Sequence, residues 1–184
     1  MKKILLLGDS IRLGYQPAVT ELLEGKAEVY GPEDNCRFTL YTLWHAFQWV
    51  AAAGEPDIIH WNNGIWDMYT HLQDGKSFIT PEEYGCNIIR ILRELRALCP
   101  GSRVMFATTT PVSDQNTLIT NESIDRINEI ARRVMQAEGV EIDDLNRALR
   151  GRPELICEDL LHLTSQGYHT AAQAVVQALS PYLL

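Results

Sequence analysis

Three side chains near opposite ends of the chain have the types and spacing that nucleophilic acyl transfer requires. Ser10 follows a short apolar run and Gly8-Asp9, where a side chain would stand at the mouth of a parallel sheet. Asp159 and His162 lie three residues apart, so a single turn can bring both side chains to one side. A carboxylate at one imidazole nitrogen leaves the other nitrogen to act as a general base toward a serine. Taken singly, Ser10 is better explained as a helix cap and Asp159/His162 as a surface turn.

The elements that must position these residues alternate between strand and helix patterns. Short apolar runs flanked by breakers predict five buried parallel strands, at 4–7, 27–30, 57–61, 103–108 and 140–142. Apolar residues at three- and four-residue steps predict helices around 40–51, 84–95, 124–134 and 168–179. Thr80-Pro81-Glu82-Glu83 predicts a helix start, with Thr80 as N-cap. Right-handed crossovers then predict an α/β protein, a three-layer α/β/α sandwich around a flavodoxin-like five-stranded parallel sheet.

Two asparagines follow the third predicted strand and become candidates for stabilising an oxyanion. In a sheet of this kind, ligands bind beyond the carboxyl ends of the strands. With the strand order 2-1-3-4-5, Asn62 and Asn63 lie beside Ser10, and an amide N–H from one of them can face the attacked carbonyl oxygen. The backbone N–H of Ser10 is a second candidate donor. The alternative is that both asparagines only satisfy loop backbone groups.

Composition and charge exclude several classes of protein. The 184 residues suit a single domain, 1–184, and carry a formal net charge of −8, which repels nucleic acid and anionic membranes. The four cysteines show no C-x-x-C spacing, and the remaining histidines show no spacing typical of metal ligands, so we expect no metal and no cofactor. The first apolar run is too short for a signal peptide, and no run could span a membrane. We therefore expect a cytoplasmic protein.

The chain resembles the SGNH (GDSL-type) hydrolases, and the resemblance extends over essentially its whole length. It is carried by LLLGDSI at 5–11, NGIWDMY at 63–69 and DLLHLTSQGY at 159–168. The resemblance implies the SGNH hydrolase fold and an esterase with Ser10 as nucleophile, His162 as base and Asp159 as its partner. The SGNH hydrolases include deacetylases of carbohydrates, so the resemblance implies small-molecule or carbohydrate esters as substrates.

Two sequence blocks depart from the family pattern. The second block usually supplies a glycine whose N–H binds the oxyanion, but no glycine follows Gly31 in the segment 31–37. The N–H group of another residue must therefore bind the oxyanion. In the third block, usually G-x-N-D, Trp66 stands where the donor Asn is expected, which makes Asn63, or else Asn62, the natural substitute.

Aromatic and basic residues near these blocks are candidates for binding substrate. Trp66 and Tyr69 follow the third strand and are expected to line the pocket, whereas Trp44 and Trp61 are expected in the core. Arg37 is a candidate substrate contact, although an ion pair with a neighbouring acidic residue explains it better.

Three functions compete at this point. The first is a serine esterase that cleaves a short acyl ester, such as a carbohydrate O-acetyl group, through an acyl-enzyme intermediate. The second is a catalytically silent binding module, which the altered second and third blocks favour and the intact Ser10, Asp159 and His162 oppose. The third, nucleotide or flavin binding, lacks a glycine-rich phosphate loop after the first strand.

Overall fold

A computed structural model describes residues 1–183 and has one sheet of five parallel strands. The strand order is β2-β1-β3-β4-β5, so β1 and β3 are neighbours at the centre. Their residues are buried almost throughout, as expected for strands covered on both faces. The strands are β1 (Lys2–Leu7), β2 (Ala27–Tyr30), β3 (Ile58–Trp61), β4 (Arg103–Ala107) and β5 (Glu141–Asp143). The predicted α/β fold and parallel sheet are confirmed.

In the described part of the chain, six α-helices flank the sheet. They are α1 (Ser10–Leu22), α2 (Thr39–Ala53), α3 (Pro81–Leu98), α4 (Asn121–Ala137), α5 (Leu145–Leu149) and α6 (Ser165–Leu179). Helix α3 packs against both α2 and α4, whereas α1 packs against α6. The start of α3 has the predicted capping box, in which Thr80 accepts a hydrogen bond from the Glu83 N–H and the Glu83 carboxylate accepts one from Thr80. None of the helices in residues 1–183 is long and apolar enough to cross a membrane.

Helix α2 buries a different face from the one that its sequence predicts. Trp44, expected in the core, is 72% exposed, and Leu40 and Phe47 are exposed on the same side. The helix instead buries the face that contains Thr42, Ala46 and Trp49. The prediction was wrong because α2 contains no charged residue, so apolar periodicity could not distinguish its inner face from its outer one. Trp61 is fully buried, as expected.

The packing of α1 on α6 joins the two ends of the chain. Gly14 lies directly beneath the ring of Tyr168, and a Cβ at position 14 would overlap that ring. The absence of a side chain therefore allows the two helices to approach closely. This contact brings the start of α6, and the segment just before it, up to the start of α1.

Candidate active site

Ser10 is held at the carboxyl end of the sheet by a tight connection between β1 and α1. Its neighbour Asp9 is the N-cap of α1, and the Asp9 carboxylate accepts a hydrogen bond of 2.9 Å from the Ile11 N–H. Burial raises the pKa of Asp9, an effect that this hydrogen bond opposes. Gly8 has no room for a side chain because a Cβ there would lie 2.7 Å from the Cβ of Arg12. Ser10 is thus the first residue of a helix, and within residues 1–183 its N–H has no acceptor.

A compact turn before α6 presents His162. Oδ1 of Asp159 accepts hydrogen bonds from the N–H groups of Leu161 and His162, at 3.0 and 2.9 Å. Its other oxygen lies 2.6 Å from Nδ1 of His162. Slight burial raises the pKa of Asp159, but these hydrogen bonds outweigh it and leave that pKa below its ordinary value. Asp159 therefore stays ionised and orients the ring.

The His162 ring bridges the two ends of the chain. Its Nε2 atom lies 2.9 Å from Oγ of Ser10, which is 152 residues earlier in the sequence. Because the Asp159 carboxylate accepts from Nδ1, that nitrogen carries the proton and Nε2 is left to accept one. The three side chains form a continuous hydrogen-bonded chain with the geometry needed to activate a serine hydroxyl.

The structure separates the two asparagines that were candidate oxyanion donors. Asn63 is fully buried, and its amide nitrogen donates to the Arg37 carbonyl and to Oγ1 of Thr42, both at 2.9 Å. Its Oδ1 accepts from the indole of Trp61. Both amide hydrogens are thus in use, so the expectation that Asn63 donates to the oxyanion is wrong.

Asn62 is better placed to donate. Its Cβ is only 3.7 Å from the position that a Cβ on Gly8 would occupy, so this side chain lies beside the segment that carries Ser10. The amide nitrogen makes one hydrogen bond, of 2.8 Å, to the Ala107 carbonyl. An amide nitrogen has two hydrogens, so one remains for a ligand.

The loop after β2 supplies a backbone donor without using a glycine. Arg37 has a φ of 50°, the left-handed conformation that glycine would adopt most easily. The N–H of Arg37 is bonded to Oδ1 of Asn35, whereas the N–H of Phe38 has no acceptor within residues 1–183. Phe38 lines the same cavity as Ser10. The sequence did not single out Phe38, because a backbone donor leaves no mark on residue type.

Arg12 holds this loop against the start of α1. Its guanidinium is 1% exposed and donates to the carbonyls of Pro32 and Asp34, at 2.8 and 2.7 Å, and to the Gln16 side chain. These bonds pair the two terminal nitrogens of a buried charge with backbone oxygens of the loop. Arg12 therefore links the segment that carries Ser10 to the one that carries Phe38, a role that the sequence analysis did not recognise.

The candidate substrate residues divide into two groups. Trp66 and Tyr69 line a cavity of about 500 Å³ that opens beside Ser10 and His162. Arg37 does not line it: the guanidinium lies 4.6 Å from the ring centre of Tyr41 and 3.9 Å from the Asp34 carboxylate. The prediction of a substrate contact by Arg37 is therefore not supported, and the ion pair is what forms. No group of three or more His, Cys, Asp or Glu side chains converges within residues 1–183.

Asp67 is a buried carboxylate that the sequence analysis did not identify. It accepts hydrogen bonds from the N–H and Oγ1 of Thr39, at 3.0 and 2.6 Å, while its second oxygen is buried and has no hydrogen-bond partner among residues 1–183. It thereby fastens the β3–α3 loop, which carries Trp66 and Tyr69, to the start of α2. Burial raises the pKa of Asp67 to about 7, against the lowering effect of the Thr39 hydrogen bonds.

The raised pKa of Asp67 predicts a pH-dependent stability. In the unfolded chain this carboxyl has an ordinary pKa of about 4, so between about pH 4 and 7 the folded protein binds more protons. The free energy of unfolding should therefore fall as the pH rises through this range. Asp67→Asn removes the titration, and urea unfolding at several pH values should show a shallower decline for this variant. The exposed Asp74→Asn is the control and should retain the wild-type slope; equal slopes for Asp67→Asn and wild type would contradict the assignment.

Comparisons with known proteins identify the family of the chain. Residues 6–170 match the model of the GDSL-like lipase/acylhydrolase family. In a sequence comparison with curated proteins, no protein matches the chain.

Several solved structures share the fold. The lipase/acylhydrolase from Enterococcus faecalis aligns over 99% of this chain and 97% of its own, with a TM-score of 0.82 and 21% identity. The acetyl xylan esterase AlAXEase aligns over 96% of this chain and 99% of its own, with a TM-score of 0.80 and 18% identity. A carbohydrate esterase family 3 protein from Talaromyces cellulolyticus aligns over 100% and 98%, with a TM-score of 0.79 and 19% identity. At sequence identities this low, the similarity to these structures shows a shared fold and no more.

Proposed function

Because this chain belongs to the GDSL-like lipase/acylhydrolase family and is a hydrolase of ester bonds, we propose that it is a serine esterase that forms an acyl-enzyme intermediate. The observation that carries the proposal is the hydrogen-bonded chain from Ser10 through His162 to Asp159, with contacts of 2.9 and 2.6 Å. Nucleophile, base and orienting carboxylate are all present and in contact.

The reaction proceeds in two halves. In the first, Oγ of Ser10 bonds to the ester carbonyl carbon while its proton moves to Nε2 of His162. His162 then gives that proton to the alcohol oxygen as the bond between acyl carbon and alcohol breaks. In the second half, water attacks the acyl-enzyme with His162 as base, which releases the acid and restores the Ser10 hydroxyl.

Three donors are available for the negative charge that develops on the carbonyl oxygen. We assign this role to the N–H groups of Ser10 and Phe38 and to the remaining amide hydrogen of Asn62. Preorganised donors of this kind stabilise the transition state more than the ground state. Since Asn63 has no free hydrogen, its part is to support the site through Trp61 and Thr42.

Asn62→Ala should lower kcat by on the order of 100- to 1,000-fold with little change in KM, because the donor acts mainly on the transition state. Steady-state kinetics on a p-nitrophenyl ester measures both constants. Gln136→Ala, which removes an exposed amide of α4 outside the cavity lining, should leave them unchanged. A folded Asn62→Ala enzyme with wild-type kcat would remove Asn62 from the site.

The altered second and third blocks favour a catalytically silent binding module. The geometry of the site argues against a binding module. The N–H of Phe38, which has no acceptor within residues 1–183, can replace the N–H of the missing second-block glycine, and the Asn62 amide can replace that of the missing third-block asparagine. A binding module also gains nothing from an imidazole held between a carboxylate and a serine. We therefore keep the esterase as the proposed function.

Hydrolysis of p-nitrophenyl esters, together with labelling by a fluorophosphonate, tests the proposal directly. An esterase of this kind releases p-nitrophenol and is inactivated as its serine becomes covalently modified. Mass spectrometry of the digested protein should place the label on Ser10. A protein that neither hydrolyses any ester nor takes up the label would be a binding module.

The acyl group and the alcohol are further parts of the proposal. Two of the structural neighbours named above are an acetyl xylan esterase and a carbohydrate esterase, which supports small-molecule or carbohydrate esters as substrates. That support comes from the likeness of folds. The cavity itself provides a more direct indication of the acyl group.

A further inference from the structure

The cavity beside Ser10 is much larger than an acetyl group needs. At about 500 Å³ it falls within the range of pockets that enclose whole drug-sized ligands, whereas an acetyl group has only a few non-hydrogen atoms. We propose that it binds the acyl group of the substrate and selects apolar acyl chains of about six to ten carbon atoms. This inference rests on the proposed esterase function and adds the class of acyl group.

The wall of the cavity is apolar and aromatic. Besides Ser10 and His162, it is formed by Phe38, Ile65, Trp66, Tyr69, His71, Phe78 and Leu161. None of these lining residues is Lys, Arg, Asp or Glu. A sugar would bring several hydroxyl groups to a wall whose polar atoms are few, and each unpaired group would weaken binding. An alkyl chain, in contrast, gains with every methylene that leaves water.

The aromatic rings are packed together into one surface. The rings of Phe38 and Phe78 lie with their centres 4.8 Å apart, and His71 stacks on Phe78 at 6.3 Å. The ring of Tyr69 is 5.3 Å from that of His71. Although Phe78 and Trp66 are each 39% exposed, both face this cavity, so a ligand chain would cover them.

The position of this aromatic surface relative to the oxyanion donors and to His162 assigns it to the acyl side of the ester. Phe38 contributes its N–H to the proposed oxyanion site and its ring to the aromatic surface, so the surface begins next to the carbonyl carbon. The alcohol must leave beside Nε2 of His162, which donates its proton. Leu161 is a lining residue adjacent to His162 in the sequence, so we place it on the side of the leaving group, and Phe38 with Phe78 forms the wall for the acyl chain.

The experiment compares kcat/KM for p-nitrophenyl esters from acetate to dodecanoate, which share one alcohol. We expect kcat/KM to rise by about two- to fourfold for each added methylene up to about eight carbons, and then to level off. Phe78→Ala should lower kcat/KM for octanoate by about tenfold and leave that for acetate within about twofold. Phe47→Ala is the matched control, because it removes an exposed phenylalanine from α2, outside the cavity lining.

A second series, acetates of alcohols of increasing length, separates the acyl from the alcohol side. A flat response in this series, with a steep one in the acyl series, supports the proposal. An active enzyme that prefers acetate to octanoate, that responds to the alcohol instead, or whose profile Phe78→Ala leaves unchanged would overturn it. Absence of hydrolysis in both series, together with absence of fluorophosphonate labelling, would overturn the proposed function itself.

Discussion

Ser10→Ala is expected to reduce the turnover of p-nitrophenyl esters by on the order of 10⁴- to 10⁶-fold, because no other group can form the acyl-enzyme. The substitution removes one oxygen at the first position of α1 and no core volume, so the unfolding temperature should stay close to that of wild type. Binding of a non-hydrolysable ester analogue should also persist. Steady-state kinetics and thermal unfolding on the same preparation measure both properties.

Ser165→Ala is the control for this change. Ser165 is likewise the first residue of a helix, α6, and is exposed, but it does not line the cavity beside Ser10. Its replacement should leave turnover intact. A Ser10→Ala enzyme that retains substantial turnover would show that the nucleophile is a different group.

His162→Ala should come close to the loss caused by Ser10→Ala, since the serine hydroxyl then has no acceptor for its proton. Asp159→Asn should lose less, since Nε2 remains next to Ser10 while only the ring's charged partner is changed. The comparison requires kcat/KM across the pH range for all three proteins.

His169→Ala serves as the control for the histidine substitution. It removes an exposed imidazole of α6 that is hydrogen-bonded to Gln173, and activity should be unaffected. If Asp159→Asn matched wild type at every pH, the carboxylate would have no part in the reaction.

The strands and the three clustered side chains could be predicted because their signals are local. Buried parallel strands are continuous apolar runs, and all five predicted strands lie within two residues of those observed at each end. Asp159 and His162 share one turn, and Ser10 sits directly after the first strand. These three side chains come together in the structure, while their catalytic roles stay predictions.

What could not be predicted depends on contacts between distant residues. Asn62 and Asn63 are adjacent and identical in type, and only Arg37 and Thr42, which occupy the amide of Asn63, distinguish them. The free N–H of Phe38 is a property of backbone conformation rather than of sequence. Asp67 reads as part of the altered third block, yet its burial, which raises its pKa, and its hydrogen bonds with Thr39 depend on the packing of the β3–α3 loop against the start of α2.

The contact of α1 with α6 at Gly14 and Tyr168 also bears on when, during synthesis, Ser10 and His162 can meet. During synthesis the chain emerges from its amino end, so Ser10 is exposed to the cell long before His162 has been translated. Under the proposed roles, the partial chain has the nucleophile without its base, and we expect it to be inert toward esters. Because His162 must reach Ser10 across 152 residues, we expect ester hydrolysis to begin only after α6 has packed against α1.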